Sequence, residues 1–168
     1  MLRNAPKYLK METIKGIAGV EPKKQYNPTI NEKPSIEVVV IEDNHLVNMV
    51  LSKSLNSTIK TIQNLKNICI RFSQFHKGGD FLNYFQNNDF TGSKLIVFSD
   101  YFLEDNITGS QILKSIKQKK SDATVVIVSD TSNPQIPVDV VNFGAHSFIH
   151  KGKKAPVLCS EILFQKVD

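Results

Sequence analysis

The amino-acid sequence predicts a doubly wound α/β domain, in which a sheet of parallel strands is covered by helices on both faces. From Ser35 onward, short apolar runs alternate five times with segments of helical spacing. Runs such as Leu95 to Ser99 show no polar alternation, which is typical of strands buried on both sides in a parallel sheet. Right-handed crossovers through the helices would connect these strands.

The five strands are predicted where β-branched and aromatic residues run together. We expect them at residues 36–41, 68–75, 95–99, 124–129 and 147–149. Each run has the length of an ordinary strand, and none is long enough for a buried helix.

The helices are predicted from apolar residues spaced three and four apart, at residues 45–57, 78–87, 111–119, 138–142 and 155–165. Asn44 can cap the first helix. Pro134 and Pro137 are expected to delay the fourth helix, because proline is tolerated only in a first turn, and Gly144 to end it.

Residues 1–34 are predicted to be an N-terminal extension or linker with weak local structure, and residues 35–168 to be the folded domain. The extension holds seven Lys and Arg residues against three acidic ones, whereas the domain holds fourteen against thirteen. Most of the net charge of +5 therefore lies in the extension, where aromatic residues are few. This distribution gives no reason to expect direct DNA binding.

The sequence also favours an intracellular setting. Cys69 and Cys159 lie in apolar surroundings without metal-ligand spacing and are expected to be free thiols in a reducing compartment. Neither a signal peptide nor a run of eighteen apolar residues is present, so we expect a cytoplasmic protein without a membrane partner.

Polar residues follow four of the predicted strands. The first is followed by Glu42-Asp43 and the third by Asp100, while the fourth ends in Ser129 and Lys151 lies just beyond the fifth. Because parallel strands end at one edge of the sheet, where such folds bind ligands, these side chains are expected to meet there. Closely spaced carboxylates stay jointly ionised only beside a cation, and their oxygens suit Mg²⁺.

This set of side chains is consistent with phosphoryl chemistry. A bound Mg²⁺ would shield Asp100, so that its carboxylate oxygen could attack a phosphorus atom. Ser129 and Lys151 could then donate hydrogen bonds to the incoming phosphoryl oxygens.

Four motifs in order resemble the receiver domain of two-component response regulators. They are Val38 to Asn44, Leu95 to Leu103 with Thr108-Gly109 after it, Val126 to Ser129, and Gly144 to Lys151. The resemblance spans about residues 35–165. It implies the flavodoxin-like receiver fold, with five parallel strands in the order 2-1-3-4-5.

The resemblance assigns a role to each matching residue. Asp100 corresponds to the phosphoacceptor, which takes its phosphoryl group from a sensor histidine kinase or a phosphotransfer protein. Glu42, Asp43, Asp100 and the backbone carbonyl of Phe102 correspond to the Mg²⁺ ligands. Such a protein catalyses only its own phosphorylation and dephosphorylation and is not otherwise an enzyme.

The remaining implied roles concern the conformational change that phosphorylation causes in this family. Ser129 and Lys151 correspond to the residues that contact the phosphoryl group. Phe148 corresponds to the aromatic residue that turns inward when the hydroxyl of the residue at the Ser129 position moves. The output would be contact with a downstream protein target, and the resemblance also allows a homodimer. Both would use the face formed by the fourth helix, fifth strand and fifth helix.

Two positions depart from the family pattern. Gly152 follows Lys151 where the family commonly has proline, and Asp130 follows Ser129 where a small residue is usual. We expect Gly152 to change the placement of Lys151. We expect Asp130 to repel or steer the phosphoryl group.

Two other functions remain open at this point. A receiver-like module could act through surface contacts without phosphorylation, although it would not need Asp43, Asp100 and Lys151 together. A small nucleotide- or flavin-binding protein would need a glycine-rich turn after the first strand, where this chain has Glu42 and Asp43.

Overall fold

The structure, a computed structural model, describes residues 35–167, which form one parallel sheet flanked by helices. The five strands lie side by side in the order β2-β1-β3-β4-β5, and every pair is parallel. The predicted fold class and strand order are confirmed, while the predicted extension at residues 1–34 lies outside the described residues. The strands are β1 Ile36–Ile41, β2 Ile70–Phe75, β3 Lys94–Ser99, β4 Thr124–Ser129 and β5 Ser147–His150.

Five helices cover the two faces of this sheet: α1 His45–Lys66, α2 Gly78–Asn87, α3 Gly109–Lys119, α4 Gln135–Asn142 and α5 Ala155–Lys166. Helices α1 and α5 pack on one face, where Leu55 and Leu163 belong to the same buried cluster. Helices α2, α3 and α4 pack on the other, with Phe81, Ile112 and Val140 in a second cluster. All six residues of β1 are buried, as expected for the centre of a doubly wound sheet.

Helix α1 is nine residues longer than predicted, so the expected end at residue 57 was wrong. The buried side chains of Leu55, Ile59 and Ile62 continue the apolar stripe at helical spacing beyond that point. Asn67 ends the helix in the left-handed conformation, with φ of 51°, and its N–H donates to the carbonyl of Gln63.

Helices α3 and α4 both begin earlier than predicted. At α3, Thr108 and Gln111 form a reciprocal capping box, which starts the helix at Gly109 instead of Gln111. At α4, Pro137 lies within the first turn, where its missing N–H is not needed, so the helix begins at Gln135 instead of Val138.

The remaining differences are one or two residues at element ends. Strand β2 begins two residues later than expected, β3 begins one residue earlier, and β5 and α5 each end one residue later. Cys69 and Cys159 are free, as predicted, and burial raises the pKa of the Cys159 thiol to about 12. Within residues 35–167, no helix combines the length and apolar character that crossing a membrane requires.

Candidate functional site

Three carboxylates meet at the carboxyl edge of the sheet, where β1 and β3 lie side by side. Glu42, Asp43 and Asp100 each offer a carboxylate oxygen, and these oxygens all lie within 4.8 Å of one another. Glu42 and Asp100 are only 1% and 6% exposed, and Asp43 is half-buried. Hard oxygen ligands at this spacing fit Mg²⁺, and the set contains no soft ligand for zinc or copper.

Lys151 supplies the positive charge for this cluster. Its Nζ lies 2.6 Å from Oδ2 of Asp100 and 2.8 Å from Oε2 of Glu42. The N–H of Lys151 donates to the carbonyl of Ser129, 3.1 Å away, which ties the loop after β5 to the end of β4. The ammonium therefore bridges two buried carboxylates that would otherwise repel each other.

The ionisation of the site reflects burial and these contacts. Burial raises the pKa of Glu42, and the charge of Asp100 adds to the rise, while the hydrogen bond from Lys151 opposes it. Burial alone would lower the pKa of Lys151, but its hydrogen bonds to Asp100 and Glu42 outweigh burial and raise it above 10.5. The contacts of the charged Lys151 with the two carboxylates therefore stabilise the folded protein below pH 10.5. That stabilisation is lost as the pH rises through the raised pKa of Lys151.

Backbone and amide donors hold the three carboxyl-bearing segments in place. Tyr101 N–H donates to Oδ1 of Asp100 at 2.6 Å, and Glu104 N–H donates to Oδ2 of Asp43 at 2.8 Å. The buried side chain of Asn48 donates to the backbone carbonyl of Glu42 at 2.9 Å. Sequence reasoning missed Asn48, although a polar residue on the apolar face of a helix was the available signal.

Two buried serines at this edge differ in their hydrogen bonding. Ser99 Oγ donates to the carbonyl of Asp100 at 2.8 Å. Ser129 is 1% exposed, yet its hydroxyl has no partner among the described residues. This hydroxyl is therefore available to donate a hydrogen bond to a group outside the chain.

The other two predicted residues flank the cluster. Phe102 is 52% exposed and its N–H lies 3.4 Å from Oδ1 of Asp100, so its peptide borders the phosphoacceptor candidate. Phe148 is half-buried against the α3 and α4 side of the core, and its ring meets that of His150 edge-on at 5.0 Å. The roles of the Phe102 carbonyl and of Phe148 as a switch stay predictions.

Gly109 is a further positioning residue, since it lets the loop after β3 close tightly. A Cβ atom there would lie 2.8 Å from the carbonyl oxygen of Asp100 and 2.9 Å from Cα of Tyr101. Both atoms belong to the backbone, which cannot move aside as the end of a flexible side chain could. A side chain at residue 109 would therefore disturb the loop. The Thr108-Gly109 pair was visible in the sequence, but this close approach was not.

The fold and the site together define the class to which the chain belongs. The profile of the response regulator receiver domain matches residues 38–163, and the chain therefore belongs to this family of two-component signalling proteins. Receiver domains are phosphoacceptor signalling modules and not enzymes in the ordinary sense. No curated protein sequence matches the chain significantly.

Solved structures with the same fold include several receiver domains. The BeF3-activated receiver domain of DrrB is 20% identical, with a TM-score of 0.61 over 79% of this chain and 98% of that one. A receiver domain from Rhodospirillum rubrum is 22% identical, with a TM-score of 0.61 over 79% and 95% of the two chains. The receiver domain of RcsB from Salmonella enterica serovar Typhimurium is 18% identical, with a TM-score of 0.61 over 79% and 89%.

Replacing the two serines separately should distinguish a satisfied from an unsatisfied hydroxyl. We expect Ser99→Ala to lower the free energy of unfolding by about 1 kcal/mol, because it removes a buried hydrogen bond. Ser129→Ala should leave the free energy unchanged or raise it by up to about 1 kcal/mol, because it removes a buried hydroxyl without a partner. Urea unfolding without added ligand measures both, and equal losses would contradict this account.

Replacing Lys151 with methionine should destabilise the protein in a pH-dependent way. The variant leaves Glu42 and Asp100 without their cation, and we expect a loss of about 1–3 kcal/mol at pH 7. Burial already raises the pKa of Glu42, and the variant removes the hydrogen bond that opposes this rise, so the loss should shrink as the pH falls towards 5 and Glu42 takes up a proton. Urea unfolding at both pH values checks this, with the exposed Lys153→Met as the control; a pH-independent loss would contradict it.

Proposed function

We propose that this protein is a phosphoacceptor of a two-component system, which receives a phosphoryl group on Asp100 from a histidine kinase or phosphotransfer protein. The observation that carries the proposal is the contact of Asp100 Oδ2 with the Lys151 ammonium at 2.6 Å, inside a buried acidic cluster. A carboxylate that was only structural would not need two further carboxylates and an unpartnered hydroxyl beside it. Membership of the receiver family supports the same reading.

The chain's own residues perform most of the transfer. A carboxylate oxygen of Asp100 forms the new bond to phosphorus as the bond from phosphorus to the donor histidine breaks, and the imidazole keeps the bonding electrons. Glu42, Asp43 and Asp100, with the carbonyl of Phe102, would hold Mg²⁺, which supplies charge neutralisation for the transferring group. Lys151 and the hydroxyl of Ser129 then donate to the phosphoryl oxygens.

The switch follows from the charge that the phosphoryl group adds, about −1.5 to −2. Ser129 moves to donate to it and leaves space behind, into which the half-buried ring of Phe148 turns. This motion biases the surface of α4, β5 and α5, where Val138, Val141 and Phe143 are exposed apolar side chains. A downstream protein target, or a second copy of the chain, would bind this surface.

The most direct test of the proposal is the intact mass of the protein after incubation with acetyl phosphate and Mg²⁺. We expect one phosphoryl group on the native chain, and none on Asp100→Asn or when EDTA removes the metal, because Asp100 is the acceptor and the acidic cluster needs its cation. Asp130→Asn is the control, because it removes an exposed carboxyl near the same edge and should still be phosphorylated.

A phosphoryl group that remains in Asp100→Asn would overturn the assignment of the acceptor. If neither protein is phosphorylated and Mg²⁺ does not bind, the second candidate function applies: a receiver-like module that acts through surface contacts without phosphorylation. The exposed apolar residues of α4 favour such a contact surface independently of phosphorylation.

A further inference from the structure

We infer that a second metal site, for a transition-metal ion with nitrogen ligands, lies beside the acidic cluster on the β2 side of the sheet. It consists of the imidazoles of His45 and His76, with the thioether of Met49 next to them. The two rings lie 4.5 Å apart between centroids at an interplanar angle of 42°. They border one recess of about 410 Å³, which Asn48, Met49, Ser52 and Gln74 also line.

The fold brings the two histidines together from different elements. His45 is the first residue of α1, directly after the N-cap Asn44, and His76 follows the end of β2. Because β1 and β2 are neighbouring parallel strands, the segments that follow them emerge at the same edge of the sheet. Met49 lies one helical turn after His45, at the i+4 position, and is 59% exposed.

The hydrogen bonding of His76 prepares it to bind a metal. Its Nδ1 lies 3.2 Å from the backbone carbonyl of Glu42, and a carbonyl can only accept, so Nδ1 carries the proton. The lone pair of the neutral ring is then on Nε2. A histidine ligand in a metal site commonly donates its other ring nitrogen to a carbonyl in this way.

The other polar groups of the recess are already engaged with one another. Ser52 Oγ lies 3.0 Å from Oδ1 of Asn48 and 3.1 Å from Oε1 of Gln74. The amide nitrogen of Asn48 donates to the carbonyl of Glu42. Besides these oxygens, the recess offers two imidazoles and one thioether, and such softer ligands favour transition metals over Mg²⁺.

The separation of the rings is compatible with two imidazoles that share one ion. With metal–nitrogen bonds of about 2.1 Å and nitrogens about 1.1 Å from their ring centres, two imidazoles at right angles around one ion have centroids about 4.5 Å apart. Imidazole nitrogens suit several transition metals, and Ni²⁺ and Cu²⁺ stand high in the affinity order for such ligands, so Ni²⁺ is an appropriate probe of the pair.

Calorimetric titration of the tag-free full chain with Ni²⁺ tests this site. In excess Mg²⁺, which would occupy the acidic cluster, we expect one Ni²⁺ per chain, with binding weakened at least ~10-fold in both His45→Gln and His76→Gln, because each removes one of two chelating nitrogens. His146→Gln should bind as the native chain does, since His146 precedes β5 and is remote from the pair in the sheet order.

The acidic cluster is the competing location for the ion, and Asp100→Asn separates the two. This variant lacks the central carboxylate and the proposed phosphoacceptor, yet it should keep the native affinity for Ni²⁺. If Asp100→Asn abolishes binding, if only one histidine matters, or if the native chain binds no Ni²⁺, the inference is overturned. Its failure would leave the proposed phosphorylation of Asp100 unaffected.

Paramagnetic broadening on the native chain gives a second readout that does not depend on the folding of a variant. Of the four histidines in the sequence, the ring signals of His45 and His76 should broaden first on addition of substoichiometric Ni²⁺. Broadening that begins at His146 or His150 would contradict the site.

Discussion

The arrangement of the carboxyl edge depends on one interaction, the placement of the Lys151 ammonium between Asp100 and Glu42. Two carboxylates that are almost fully buried cannot both be ionised there without a nearby cation. Lys151 meets this requirement with contacts of 2.6 Å and 2.8 Å, and its own pKa rises in return. The same lysine is available to a phosphoryl group, so the interaction that stabilises the free protein is also the one that the proposed function uses.

This placement is a consequence of the sheet topology. The strand order puts β1 and β3 side by side at the centre, so Glu42 and Asp100 follow neighbouring strands, while β4 separates β3 from β5. Lys151 reaches across β4 with its side chain, and its backbone is fixed by the bond from its N–H to the carbonyl of Ser129. Gly109 completes the arrangement, because any side chain there would push against the backbone of Asp100.

Much of this architecture could be predicted because apolar runs and helical spacing are local signals. The strand β1 and the helix α2 lie where the sequence indicated, and the side chains of Glu42, Asp43 and Asp100 meet as their strand-end positions implied. The last nine residues of α1 were not predicted, although Ile59 and Ile62 continue its apolar stripe, because most residues around them are polar. The start of α3 depends on the capping box of Thr108 and Gln111, a signal that apolar spacing does not include.

Other features could not be read from local patterns. The double contact of Lys151, the unpartnered hydroxyl of Ser129 and the support of Glu42 by Asn48 all depend on distances across the sheet. The proximity of His45 and His76 is of the same kind, since thirty residues separate them in the chain. Sequence spacing predicts which edge a residue occupies, but not which atoms it contacts there.

Lys151 is the counter-ion of the acidic cluster, and it contacts two of the carboxylates that a metal ion would use, so the two cations should compete. The most direct test is calorimetric measurement of Mg²⁺ affinity at pH 8 for the native chain and for Lys151→Met. We expect tighter Mg²⁺ binding by Lys151→Met, by roughly tenfold, because the competing ammonium is gone. Unchanged or weaker binding by Lys151→Met would contradict it.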